Sequence, residues 1–140
     1  MAAKAAPRRF DDQVSVSGQI SPDDVAGLPG AGIAMLINNR PDGEDPGQPA
    51  AGEIEAAAER AGIAYRHIPI IRGIGPADVQ AMDLALGEAK GGKILAFCRS
   101  GSRSALVCAL ARRQQGVAQT TVEQQLIDAG VDPTPIAHLL

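Results

Sequence analysis

Four residues, Arg99-Ser100-Gly101-Ser102, separate Cys98 from Arg103. The stretch follows the apolar run Lys93-Ile94-Leu95-Ala96-Phe97 and passes through Ser104 directly into Ala105-Leu106-Val107. A strand ending on such a loop, with a helix opening at its far side, turns several backbone N–H groups inward at the positive end of the helix dipole. Gly101 gives that turn backbone freedom. Arg103, near the first turn of the helix, can fold back and grip an oxyanion through two parallel N–H donors. Cys98 at the mouth of the cradle then meets amide donors, the dipole and a guanidinium, which together favour the thiolate over the thiol. The result is a nucleophile beside an anion site. A lone cysteine at a strand end would read as a small buried hydrophobe; the residues around this one argue for chemistry.

Further candidate ligands flank the pair. Arg99, Ser100, Gly101, Ser102 and Ser104 line the loop, and Ser104 is the serine best placed to hydrogen-bond the sulfur. Arg40 follows Asn38-Asn39 at the end of another apolar run. It reads equally as a second anion ligand or as one member of a turn-forming Asn/Asp/Pro cluster. Arg72 reads as a solvated cation on a third loop.

These loops need elements to hold them. Residues 13–17, 32–38, 63–70 and 93–97 read as short strands, the second and fourth as near-continuous apolar runs of the kind covered on both faces. Helices are expected from Ser21-Pro22-Asp23-Asp24, over 50–62 with Gly62 as C-cap, over 75–92, from Ser102 to about Gly116, and from a Thr120 or Thr121 cap to about Gly130. Strands alternating with helices predict βαβ crossovers, hence an α/β fold with a mainly parallel central sheet flanked by helices. Ligands in such sheets sit beyond the carboxyl ends of the strands. Three loops qualify: 38–49, 71–75 and 98–103.

The quoted loop, together with Asn38-Asn39-Arg40-Pro41-Asp42-Gly43-Glu44 and Ala64-Tyr65-Arg66-His67-Ile68-Pro69-Ile70, resembles the small bacterial DUF442 proteins. These are the phosphatase-like domains of the beta-lactamase-hydrolase-like family. The resemblance runs from about Asp11 to near the end of the chain. It implies a cysteine-phosphatase-like (dual-specificity-phosphatase-like) fold, with Cys98 as nucleophile and Arg103 as anion ligand. Some members are fused to persulfide dioxygenase or rhodanese domains, which implies a persulfide-oxidising enzyme as partner.

Two departures from the phosphatase pattern favour a different reaction. Cysteine phosphatases place five residues between Cys and Arg, whereas the four found here are the count of rhodanese-type sulfurtransferases. Dual-specificity phosphatases also carry an Asp general acid on the loop corresponding to 71–75, and this one has no acid until Asp78. A phosphate ester needs its leaving oxygen protonated, while sulfite leaves thiosulfate as a stable anion. The expected activity is therefore transfer of sulfane sulfur from thiosulfate or a persulfide through a Cys98 persulfide. The alternative is phosphate-ester hydrolysis through a Cys98 phosphocysteine, for which Asp42, Glu44 and Asp45 are the nearest carboxylates by topology. A non-catalytic anion- or phosphoprotein-binding module is the third reading, and it gives no reason for a cysteine at the base of the loop.

Composition bounds the rest. The 140 residues suit one domain, expected over 11–140 behind a flexible tail at 1–10, in which Lys4, Arg8 and Arg9 are solvated charges. Phe10, Tyr65 and Phe97 are the only aromatics, too few for single-strand nucleic-acid stacking, and a net charge of −3 gives no globally basic face. His67 and His138 are too scattered for zinc, so no metal or organic cofactor is expected. The substrate is a small anion: thiosulfate, a persulfide or a phosphate ester. Cys98 and Cys108 are not spaced for a structural disulfide, Cys108 reads as helix packing, and no run is long enough to span a membrane. A cytoplasmic protein is expected.

Overall fold

The computed structural model describes residues 6–140. Its elements, in order, are β1 (Arg8–Arg9), β2 (Val14–Ser17), α1 (Pro22–Ala26), a 3₁₀ turn (Pro29–Ala31), β3 (Ile33–Asn38), α2 (Ala51–Ala61), β4 (Ala64–His67), α3 (Pro76–Glu88), β5 (Lys93–Phe97), α4 (Ser102–Gln114), α5 (Gln119–Asp128) and a closing 3₁₀ turn (Thr134–Leu139). The sheet order is β1-β2-β5-β3-β4. Only β1 runs antiparallel; β2, β5, β3 and β4 are mutually parallel neighbours. The architecture is the expected α/β fold with a central, mostly parallel sheet.

Successive side chains on a strand face opposite ways, and each central strand is apolar on both faces. Met35, Ile37, Ile94 and Ala96 join a core with Met82 and Leu86 of α3, Ala105 to Ala111 of α4, and Val122 and Leu126 of α5. Their neighbours Leu36, Leu95 and Phe97 point to the other face, against Val25 of α1 and Ile54, Ala57 and Ala58 of α2. Aliphatic helices on both faces of the sheet account for the strand composition.

Helix ends follow local rules where the rules are local. Ser21 and Asp24 close a reciprocal capping box on α1. Gly62 ends α2 at φ +75°. The expected Thr120 or Thr121 cap is not used: α5 starts after Ala118, without a side-chain cap. β4 is shorter than 63–70 because Pro69 has no N–H to give a ladder. The N–H groups of Ile68 and Ile70 nevertheless donate to the carbonyls of Asn38 (2.8 Å) and Asn39 (3.0 Å), which carries the extended chain past the strand.

The ordered fold also starts earlier than Asp11. Arg8 and Arg9 pair with Val16 and Ser15, and Phe10 is 3% exposed in the larger core. Burying that phenyl ring, worth about 1.5–3 kcal/mol, draws the preceding residues onto the sheet edge. Lys4 lies outside the described residues.

Candidate active site

β5 lies at the middle of the sheet between β2 and β3, so the residue after Phe97 emerges at the centre of the carboxyl edge. That residue is Cys98, 1% exposed. Its N–H donates to the Ser17 carbonyl (3.3 Å), tying it to the end of β2. Gly101 caps α4 at φ +97°, in the left-handed region, and its N–H donates to Cys98 Sγ at 3.0 Å. The sulfur therefore has an amide donor at the N-terminus of a thirteen-residue helix.

Arg103 folds back as expected, but its fork is already filled. Nη1 donates to Glu44 Oε2 (2.7 Å) and Nη2 to Glu44 Oε1 (2.8 Å), while Nη1 also donates to the Ile70 carbonyl (2.9 Å). These bonds to Glu44 hold the guanidinium more firmly charged, and the nearby Cys98 sulfur adds to the effect. In return, hydrogen bonds from Arg103 and then Arg40 pull the Glu44 carboxyl from the usual 4.5 to about 2 against the cost of its desolvation. Glu44 is a carboxylate at neutral pH and has no proton to give.

Arg40 is not a free second anion ligand. It is 3% exposed. Its Nε donates to Glu44 Oε1 (2.9 Å), Nη2 to Asp45 Oδ2 (2.7 Å) and Nη1 to Gln19 Oε1 (3.0 Å). The His67 ring nitrogen Nε2 is 3.0 Å from the Arg40 carbonyl oxygen. Two arms of this guanidinium close the 38–49 loop on itself and the third ties it to Gln19, so Arg40 positions Glu44.

The other candidates divide. Ser104 is fully buried, and its hydroxyl donates to Asn39 Oδ1 at 2.7 Å, so its single proton is directed away from the sulfur. Asn39 in turn donates to the Ile68 carbonyl (3.0 Å), and its own N–H to the Phe97 carbonyl (2.8 Å). This buried amide joins the ends of β3, β4 and β5. Ser100 and Ser102 face each other across 3.2 Å. Arg99 is largely exposed, with Asp45 Oδ2 3.6 Å from its Nε. Arg72 helps to line an open cavity of about 360 Å³ with Pro69, Ile71, Gly73, Gly75 and Asp78.

The carboxylates near the site all have structural partners. Asp42 accepts the Ala51 N–H at the start of α2 (2.7 Å), Asp45 is on Arg40, and Asp78 accepts the Gly75 N–H that opens α3 (2.9 Å). Cys108 is fully buried in α4, and desolvation pushes its thiol up, away from ionisation.

Two pairings at the site were invisible to sequence reasoning. Glu44 read as a loop acid, and nothing local marks it as the partner of an arginine fifty-nine positions away. Arg8 read as tail, yet its Nη2 donates to the Ser100 carbonyl at 2.6 Å.

Known proteins are similar to this chain to different degrees. The "beta-lactamase hydrolase-like protein" of Xylella fastidiosa (strain Temecula1) is 38% identical over 102 residues, which is 72% of this chain and 23% of the relative. The chain thus spans about a quarter of that relative's length. The crystal structure of nma1982 from Neisseria meningitidis Z2491 superposes with a TM-score of 0.80 at 28% identity, covering 94% of both chains. Kinase associated phosphatase, solved with its catalytic site cysteine replaced by serine, shares the fold at a TM-score of 0.74 and 15% identity, over 96% of this chain and 88% of its own. The model of the phosphatase-like domain of beta-lactamase hydrolase-like proteins matches residues 7–115, from β1 through α4. All three loops described above fall inside that match, and the chain belongs to this phosphatase-like domain family.

Proposed function

We propose that the domain is a cysteine-dependent phosphate-ester hydrolase acting through a Cys98 phosphocysteine. The observation that carries this reading is the Gly101 N–H on Cys98 Sγ at 3.0 Å, with the Arg103 fork beside it, in a fold shared with a phosphatase that uses a catalytic cysteine. A further neighbour of this fold, P. aeruginosa TpbA, has been crystallised with pTyr. The comparisons thus favour the reading that the loop count and the acid-free 71–75 loop placed second.

The chemistry runs in two displacements. The phosphate of the substrate replaces the Glu44 carboxylate on the Arg103 fork, and the thiolate of Cys98 attacks phosphorus. The S–P bond forms as the P–O ester bond breaks, and the leaving oxygen keeps the electron pair. Water then attacks the phosphocysteine, the S–P bond breaks with its pair returning to sulfur, and phosphate departs. Loop N–H groups and Arg103 carry the charge that builds on the equatorial oxygens. The nearby carboxyls are all engaged elsewhere, with Glu44 ionised and Asp42, Asp45 and Asp78 accepting hydrogen bonds from other groups. The domain should therefore prefer esters whose alcohol leaves as a stable anion, aryl phosphates such as phosphotyrosine over alkyl phosphates.

Sulfur transfer stays as the second reading. The four-residue count from Cys98 to Arg103 and the acid-free 71–75 loop favour it. Intact mass after acid quench separates the two: a phosphate adduct on Cys98 with an aryl phosphate supports hydrolysis. A cyanide-labile gain of one sulfur with thiosulfate, and no phosphate adduct, would reverse the order.

A further inference from the structure

Arg8 reaches the nucleophile loop from the opposite end of the chain. Its Nη2 donates to the Ser100 carbonyl (2.6 Å) and its Nη1 to the Ala129 carbonyl at the end of α5 (3.0 Å). Pairing of β1 with β2, Arg8 opposite Val16, sets the direction of approach. The guanidinium occupies the space where a side chain on residue 101 would begin: a Cβ there would collide with Arg8 Nη2 and lie 3.3 Å from the Ser17 carbonyl. Gly101 is therefore needed twice, for its φ of +97° and for the seat it leaves to Arg8. Arg8 Nε is buried with no hydrogen-bond acceptor among the described residues, a desolvation cost that an aliphatic residue at this position would avoid.

The bond to Ser100 acts on the sulfur through one rigid unit. In a planar trans peptide the C=O and the following N–H point in opposite directions. In the Ser100–Gly101 peptide, the carbonyl faces Arg8 and the N–H faces Cys98 Sγ. A flip of this peptide would break both bonds at once. The serine contacts within the loop, between Ser100 and Ser102 (3.2 Å) and from the Ser102 N–H to Ser100 Oγ (3.4 Å), do not hold that carbonyl.

We propose that Arg8 is a positioning residue for the nucleophile: by anchoring the Ser100 carbonyl it fixes the Ser100–Gly101 peptide with its N–H on Cys98 Sγ. The inference rests on the reading of Cys98 as the reactive thiolate. It adds the edge strand β1 to the machinery of the site.

The test is the pH profile of Cys98 alkylation by iodoacetamide in the full chain, with Cys98→Ser as the blank for Cys108. Arg8→Met should move the midpoint of the profile up by about one pH unit, so that alkylation at pH values below the wild-type midpoint slows about tenfold. Arg8→Lys keeps the charge but cannot bridge two carbonyls with a fork, and should fall between Arg8→Met and wild type. Arg9→Met removes an equal charge from the exposed neighbouring side chain and should leave the profile in place. A folded Arg8→Met protein with the wild-type profile overturns the proposal. If Arg8→Met does not fold, Arg8→Lys decides in the same way. Alkylation needs no turnover, so a shifted profile supports the positioning role even where wild type forms no phosphate adduct, which is the result that removes the hydrolase reading instead.

Discussion

Glu44 chelates Arg103 through both carboxylate oxygens, at 2.7 and 2.8 Å. A phosphate group would present two oxygens to the same fork. The loop from β3 thus brings an internal anion to the anion site, and Arg103 first, then the buried Arg40, keeps that anion charged.

Glu44→Gln should therefore strengthen binding of inorganic phosphate, because the incoming anion no longer competes with a carboxylate. Competitive inhibition of aryl phosphate hydrolysis by phosphate should improve about tenfold, the effect of about 1.4 kcal/mol. The same variant tests for a general acid. A fall in kcat of about 10²- to 10⁴-fold would mean that Glu44 supplies the leaving-group proton.

The depressed Glu44 carboxyl also sets a pH dependence of stability. Its folded value of about 2 lies below the ordinary 4.5, so the unfolded chain binds the proton more readily. The contribution is present in full above about pH 4.5 and is lost as pH falls toward 2. Glu44 is partly exposed, and after allowance for solvent screening the contribution is about 1 kcal/mol. Urea unfolding of wild type and Glu44→Gln should differ at pH 7 and converge near pH 2–3. A difference that persists unchanged at the acid end would mean that the pairing adds no stability.

Arg103→Lys should raise KM for an aryl phosphate more than it lowers kcat, since a lysine retains charge without the fork. Arg103→Ala should cost more in kcat/KM than the lysine variant, by about tenfold or greater. Steady-state kinetics of the three proteins check the order. Equal behaviour of all three would place the anion elsewhere, with the exposed Arg99 and Arg72 next to be tested.

Cys98→Ser should remove turnover, while Cys108→Ala should keep it. Cys108 packs at full burial in α4 and its thiol is held protonated by desolvation, so it has no part in a resolving step. Its truncation should lower stability by about 1–2 kcal/mol through the small cavity left behind. Thermal melts and activity of the two single variants check both statements.

Much of this was legible in the sequence for one physical reason: periodicity is local. The near-continuous apolar runs of 32–38 and 93–97 and the Gly62 stop can each be read within a few residues. So can the Cys98-to-Arg103 turn, because a strand end, a glycine and a helix start adjoin in the chain. What lay beyond reach was which side chains meet, whether near or far along the chain. Arg40 looked like half of an anion site because a loop arginine at a strand end has two common fates. Only the approach of Glu44, Asp45 and Gln19 settles which one it meets. Ser104 looked free to serve the sulfur because Asn39, sixty-five positions earlier, is invisible to a local window. Arg8 carried no pattern at all, since two arginines before a phenylalanine also describe a solvated tail.

The central place of β5 has a consequence for how the molecule opens. Its amides bond to β2 on one side and β3 on the other, so they should exchange with deuterium only through global unfolding. Residues 41–49 are held chiefly by side-chain bonds at a partly exposed rim, and should exchange through small local fluctuations of much lower free energy. The strand that bears the nucleophile and the loop that covers it then belong to separate cooperative units. Glu44 can swing clear for an incoming anion while Cys98 and its amide donor stay in register.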